Sequence, residues 1–525
     1  MRFVCNGLLV IVVCGGAFLQ AAGQALCPAR PESGTVVQDA LSLVPQNGVL
    51  SAEFVMGHSV DDFGYTHYCY DYKTATGVAE APTLRLNQGD TLELRVVDRI
   101  QGDDSMGMKM KMHSVPAAQA CGDTGQATLQ STNVHFHGLN VSPVCHQDDV
   151  LTTLIQPGTP GFAFKIPIPK DEPPGLYWYH PHIHGFTEFQ VNGGAAGALV
   201  VEGMEKIHPE VAGLTERVFT IRQQYLVPWI PGPYQLTINF QVAAFPHPNP
   251  IIQMAPGEKQ FWRVANATIQ DFLPLQFQIS GKAQPMEVIA LDGYPLAQTR
   301  MQDTILVPPA GRAEFIVQAP PAGGVATFNT LNYGTGPTGN PDFPQILAQV
   351  QLTNSPARVH ETKSNGAALH LQDLKFADLD KQNPTTQRKL YFSEEFGGTN
   401  GPIQFYITVD GQKQKVFEAD EKPVITTKVG AVEDWTIENR ALETHAFHMH
   451  QIHFLVLEVD GKPVPAQEYR DTVEVPYWQG PGTPYHSVKV RMDFRDPTIA
   501  GTFVFHCHIL LHEDLGMMHK ILVEP

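Results

Sequence analysis

The chain has 525 residues, of which 43% are hydrophobic and 17% charged, an ordinary globular composition over a length that exceeds what one hydrophobic core normally supports. Lys and Arg total 35 against 53 Asp and Glu, a formal charge of -18, which argues against nucleic acid or an anionic membrane surface as partner. Two or three domains are expected.

Residues 1–25 read as a secretory signal, with Arg2 as a short positive start, a mostly apolar run from Leu8 to Leu19, and small residues for cleavage at Ala21, Ala22 and Gly23. No later stretch is long or apolar enough to span a bilayer, so an exported protein, periplasmic or secreted, is expected. Loss of the signal leaves Cys27, Cys69, Cys121, Cys145 and Cys507. An exported chain can keep disulfides, and the four cysteines other than Cys507 allow three pairings. The pairing favoured is Cys27 with Cys69 and Cys121 with Cys145, leaving Cys507 as a thiol.

One pattern occurs three times: Pro82 to Gly89 to Asp98, Pro250 to Gly257 to Asn266, and Pro423 to Gly430 to Asn439. The Pro-to-Gly step is seven positions and the Gly-to-Asp/Asn step nine in every copy, and the starts lie 168 and 173 residues apart. Each copy reads as two short strands around a Gly turn, an antiparallel unit. The far ends of the repeats also correspond: Gly175 to His182 parallels Gly501 to His508, and the middle copy offers Gly324 to Leu331, with Asn329 where the others place His180 and His506. Domains are expected at 28–205, 206–355 and 386–525, with 356–385 as a polar surface linker. Helix signals are few, so the class is all-β, three Greek-key sandwiches.

The first repeat carries an insertion, since Asp98 to His135 spans 37 residues against nine from Asn439 to His448. It holds Met106, Met108, Met110, Met112 and His113. Alternating thioethers suit Cu(I), and a solvated loop that tolerates Met is the competing reading.

Of 22 histidines, 13 fall in four windows: His135 and His137; His180, His182 and His184; His445, His448, His450 and His453; His506, His508, His512 and His519. A lone strand histidine is usually a hydrogen-bonded core residue. A spacing of two, however, puts both imidazoles of a pair on one strand face, and four such pairs supply eight converging nitrogens. Eight unpaired buried imidazoles would leave many unsatisfied polar atoms, whereas metal ions use them.

In the tripeptide His506-Cys507-His508 the same alternation turns Cys507 to the opposite face from its neighbours. Cys507 with two imidazoles and a distant thioether is the ligand set of a blue-copper centre, and Met517 stands where a weak axial ligand could reach. Zinc sites, structural or catalytic, use one tetrahedron of about three or four protein ligands, fewer than this chain offers. Imidazole, thiolate and thioether together point to copper.

With these four windows in order, the chain resembles the laccase-like multicopper oxidases over nearly its whole mature length. The resemblance implies three cupredoxin domains and four coppers per chain. A type 1 copper would sit on His445, Cys507, His512 and Met517. A type 2 copper would sit on His135 and His448, and a type 3 pair on His137, His180, His182, His450, His506 and His508. Phe136, Ala446 and Gln451 depart from the usual window residues without removing a ligand. The resemblance further implies one-electron oxidation of phenols or similar reductants at the type 1 copper, with O2 reduced to water at the cluster. Protons for that reduction need carboxyl groups, and Glu513 and Asp148 stand where relatives place them; Asp149 reads equally as a relay or as a solvated surface acid. His184 and His453 exceed the ligand count and read as residues around the metals or at the surface. A Cu(I) or other metal oxidase in copper tolerance is the alternative that the methionines favour, and a non-catalytic copper protein is a more distant one.

Overall fold

A computed structural model of the protein describes residues 27–60, 66–100, 121, 127–224, 235–243, 247–354, 369–397 and 403–525. The expected signal at 1–25 and the Met-rich insertion at 106–113 lie outside them.

Six sheets pack as three sandwiches, each with its own apolar core. One sheet of each sandwich is built the same way. Its order is Thr83–Leu86, Gly197–Val201, Gly175–His180, His135–His137 in the first sandwich. In the second the order is Ile251–Met254, Gln345–Leu352, Ala326–Thr330, Leu273–Ile279. In the third it is Ile425–Lys428, Met518–Glu524, Gly501–Cys507, His445–Met449. The threefold pattern in the sequence is therefore a threefold structural repeat.

The physical reason for the repeated residues is visible in each copy. Gly89, Gly257 and Gly430 hold φ of 82°, 74° and 96°, a left-handed turn that a side chain would oppose. Five residues on, Leu94, Trp262 and Trp435 are the buried centres of the three cores. The terminal Asp98, Asn266 and Asn439 each accept the N–H two residues ahead, at 2.8, 3.1 and 2.9 Å, closing an Asx turn that ends the strand.

Two expectations are corrected. The strands flanking each Gly do not pair as an antiparallel unit: Thr83–Leu86 lies parallel to Gly197–Val201, and Thr91–Asp98 lies parallel to Val49–Val60 in the facing sheet. The Gly turn carries the chain across the sandwich, as a Greek key requires, so the alternating pattern is satisfied by two different sheets. The stretch 369–385 is not a surface linker either, because Leu374, Phe376 and Leu379 are buried in the core of the third sandwich.

Disulfides join Cys27 to Cys69 and Cys121 to Cys145, and Cys507 is a free, buried thiol. Among the described residues no helix is long and apolar enough to cross a membrane.

Candidate metal centre

The histidine pairs sit on paired strands whose register sets them opposite one another. His135 faces His180 across one strand pair and His448 faces His506 across another, while the equivalent middle pair is Gln276 and Asn329. The first and third sandwiches turn these strands toward each other, so the rings of His135 and His450 stack at 3.9 Å and those of His137 and His448 at 4.0 Å.

All eight rings are buried to at least 98%. His182, His450 and His506 direct Nε2 at one another, with separations from His506 of 3.4 and 3.1 Å. Nε2 of His135, His180 and His448, Nδ1 of His137 and both nitrogens of His508 make no hydrogen bond. A cluster of buried, orphaned imidazole nitrogens costs stability unless a cation takes the lone pairs. Burial is the first cause that keeps these rings neutral: it holds His137, His180, His182, His448, His450 and His508 well below their ordinary pKa and His506 at about 3. Neutral imidazole is the form that binds metal.

On the other face of Gly501–Cys507, Cys507 Sγ lies 3.5 Å from His445 Nδ1 and 3.9 Å from His512 Nδ1. His512 comes from the short helix Leu510–Asp514, and the N–H of Ile509 donates to the sulfur at 3.5 Å. Met517 is fully buried, its N–H donating to the His512 carbonyl at 2.8 Å and its carbonyl accepting the Cys507 N–H at 3.0 Å. The strand thus divides its side chains as the alternation predicts. A second link joins the faces, since His506 Nδ1–H donates to the Cys507 carbonyl at 3.0 Å.

Asp148 is buried, not a solvated acid. Its carboxylate accepts His135 Nδ1–H at 3.0 Å, the Phe136 N–H at 3.0 Å and the Gln451 amide at 2.6 Å. Glu513 is also fully buried, 3.2 Å from His506 Nδ1 and 3.5 Å from His182 Nε2. Burial, then the neighbouring Asp514, pushes its carboxyl well above the ordinary range. Asp149 makes only local turn contacts with Leu151 and Thr152. His453 is buried, 3.7 Å from Asp471, and His184 is half-buried against Phe417.

Several residues at the site carried no signal in the histidine spacing. Asp514 accepts three N–H groups, from Gly185, Thr187 and Glu188, and so ties the third sandwich to the loop after His182. Asp471 lies 3.3 Å from His137 Nε2 and is paired with Arg312 of the middle sandwich. Glu394 and Glu443 stand 3.3 and 3.6 Å from the outer nitrogens of His445 and His512, and Phe405 stacks on His512 at 3.9 Å. Burial, then Glu394, raises the Glu443 carboxyl to about 8.

Gly138, next to His137, has φ of +87°, and a Cβ there would fall 2.5 Å from the Arg312 guanidinium and 2.7 Å from the Asp471 carboxylate. Gly138→Ala is expected to destabilise the copper-free protein by about 2–5 kcal/mol, the sum of left-handed strain and overpacking. Denaturant unfolding checks this, and an unchanged midpoint would contradict it.

The donor set fits copper: a thiolate with two imidazoles on one face, and eight imidazoles on the other, with Asp471 beside His137 and His448. Multicopper oxidase family models match residues 126–206, 214–344 and 396–525. A multicopper oxidase of Staphylococcus haemolyticus is 25% identical over 84% of this chain and 81% of its own length. A laccase of Bacillus subtilis is 23% identical over 67% and 71%. The solved structure of a Campylobacter jejuni multicopper oxidase superposes with a TM-score of 0.67 at 22% identity, over 94% of this chain and 96% of that one. That of an Ochrobactrum laccase-like oxidase superposes with a TM-score of 0.60 at 19% identity, over 94% and 100%. The chain belongs to the multicopper oxidase family. It is an oxidoreductase of three cupredoxin-like sandwiches whose cofactor is copper and whose reactants are O2 and a reducing substrate.

Proposed function

We propose that the protein is an exported, laccase-like oxidase with four coppers per chain. A type 1 ion would be held by His445, Cys507, His512 and Met517, a type 2 ion by His135 and His448, and a type 3 pair by His137, His180, His182, His450, His506 and His508. The observation that carries this reading is the division of one strand, with Cys507 turned to His445 and His512 and its two neighbours turned to the other histidines. When bound, copper supplies one-electron acceptance at the Cys507 face and four-electron reduction of O2 to water at the other. The chain's own residues do the rest. Cys507 joins the two sites through two peptide bonds and through the His506 to Cys507 hydrogen bond. Asp148 holds the His135 proton on Nδ1 and leaves Nε2 open, and Glu513 stands as proton donor between His182 and His506. The two disulfides suit an oxidising compartment.

The reductant is a phenol or similar small donor, or a low-valent metal ion. Glu394 and Glu443, one at each outer nitrogen of the type 1 histidines, favour the second, because an acidic pair can give up a proton to take a cation and Phe405 stacks on His512. Among similar structures, the Campylobacter jejuni protein is a metallo-oxidase and the Ochrobactrum one acts on lignin model compounds. Copper content, blue absorption and O2 uptake of the purified protein test the oxidase reading; a sample that binds copper without consuming O2 refutes it. Turnover with Cu(I), Fe(II), Mn(II) and phenols then separates the reductants. Glu443→Gln is expected to depress metal oxidation while sparing phenols, and equal losses would discard the metal reading.

An axial thioether lowers the reduction potential relative to an apolar residue. Met517→Leu is therefore expected to raise the type 1 potential in a redox titration; an unchanged or lower value would remove Met517 from the ligand set.

A further inference from the structure

Arg312 belongs to the middle sandwich, which has no histidine window, yet its side chain is fully buried beside the cluster histidines. Its donors reach all three sandwiches. Nε donates to the Leu176 carbonyl at 3.1 Å in the first. Nη1 and Nη2 donate to the carbonyls of Ala310 and Asp292 at 3.1 and 2.8 Å in the middle one. Both terminal nitrogens grip the Asp471 carboxylate in the third, Nη1 at 2.8 Å from Oδ1 and Nη2 on Oδ2. That carboxylate touches the cluster from its other side. Oδ1 is 3.3 Å from His137 Nε2 and accepts the Thr472 hydroxyl at 2.9 Å. The Thr472 oxygen and the Asp471 carbonyl flank His448 Nδ1 at 3.1 and 2.8 Å.

These contacts decide which nitrogen of each ring bears its proton. His137 donates Nε2–H to Asp471 and keeps Nδ1 bare; His448 donates Nδ1–H to the Asp471 carbonyl and keeps Nε2 bare. The bare nitrogens are the ones left without a hydrogen-bond partner. A planar guanidinium can grip a carboxylate with two donors and still reach three carbonyls, which an ammonium cannot.

We propose that Arg312 is a positioning residue of the copper cluster: it fixes Asp471 so that His137 and His448, ligands contributed by two different sandwiches, present their free nitrogens to metal. The copper-free sandwich thereby takes part in cluster assembly. This rests on the reading that the eight paired histidines hold copper.

The test uses the full-length copper-loaded protein and its copper-free form, as Arg312→Lys, Asp471→Asn and a control, Arg85→Lys. Arg85 is buried between Glu202 and Glu216 and contacts no histidine. Arg312→Lys and Asp471→Asn are expected to keep the blue absorption and type 1 EPR signal, to shift or lose the type 2 EPR signal, and to weaken cluster copper binding by about 10- to 100-fold in chelator competition. Arg85→Lys should leave the type 2 signal unmoved even where it lowers the melting temperature. An unchanged type 2 signal and copper affinity in Asp471→Asn would overturn the proposal, even if Arg312→Lys fails to fold. So would an equal change in Arg85→Lys, which would mark a general effect of loosening buried ion pairs. A wild-type protein with no cluster copper would instead refute the eight-histidine reading itself.

Discussion

Cys507→Ser is expected to abolish the blue absorption and bring substrate oxidation to background, while the histidine cluster still takes up copper and gives a type 2 EPR signal. The two halves of that result have separate causes. Cys507 is the thiol grouped with His445 and His512, so a hydroxyl there removes the thiolate that defines the blue centre. The strand backbone and the neighbouring histidines remain, because Ser is nearly isosteric and the His448 to His506 register does not depend on the sulfur. Copper loading carries an independent signature. Burial, with Glu443 and Glu513 adding to it, pushes the Cys507 thiol far up, so the copper-free protein holds the proton through neutral pH. The metal binds the thiolate, so loading must expel that proton and becomes about tenfold more favourable per pH unit. Calorimetry in buffers of different ionisation enthalpy should therefore detect about one proton more per chain in the wild type than in Cys507→Ser. Equal proton release from both, or retained blue colour in the variant, would remove Cys507 from the type 1 site.

The histidines were legible in the sequence because strand geometry makes spacing of two a statement about faces, and because three copies of one frame showed which positions had gained ligands. The Gly and Asp/Asn of the repeat were equally legible, each being fixed by a local need: a left-handed turn and an Asx turn. Arg312, Asp471, Asp514, Glu394 and Glu443 were not. The strand Arg312–Gln318 begins Arg-Ala-Glu, an alternation that reads as a solvent face, yet Arg312 and Glu314 bind the C=O and N–H of Leu176 in the neighbouring sandwich. Polar residues that serve an interface between sandwiches have the same local pattern as polar residues that serve water. Only the docking of one sandwich on another distinguishes them. The buried segment around Leu374, Phe376 and Leu379 escaped for a related reason, since three apolar residues in a polar stretch gain their partners from a distant core.

The cluster lies between the first and third sandwiches, so every group that closes this seam also shapes the metal site. Gln451 reaches from the third to Asp148 in the first, Asp514 to the loop after His182, and Arg312 from the middle to both. Because these ties are charged or polar and fully buried, loss of one partner leaves the other unsatisfied, which fixes the seam more sharply than apolar contact would.

Glu513 is the group at this seam best placed to feed protons to the cluster, and Glu513→Gln is expected to slow steady-state turnover by about 10²- to 10⁴-fold, the range of a lost general acid. Its carboxyl touches a ring from each side of the seam, His182 and His506, and water has no access to it. Burial, then Asp514, raises its pKa, so it keeps its proton at neutral pH. The sign follows: the proton-bearing form is present below the raised pKa, so turnover should fall as pH rises through it, and this alkaline limb should vanish in Glu513→Gln. Reduction of the type 1 site by substrate does not pass Glu513 and should keep its wild-type rate. Under air the variant would then bleach during turnover, because electrons enter normally and leave slowly. Stopped-flow reduction without O2, set beside steady-state O2 uptake, separates the two steps. If both rates fall together, or neither falls, Glu513 is a structural carboxyl and the protons arrive by another route.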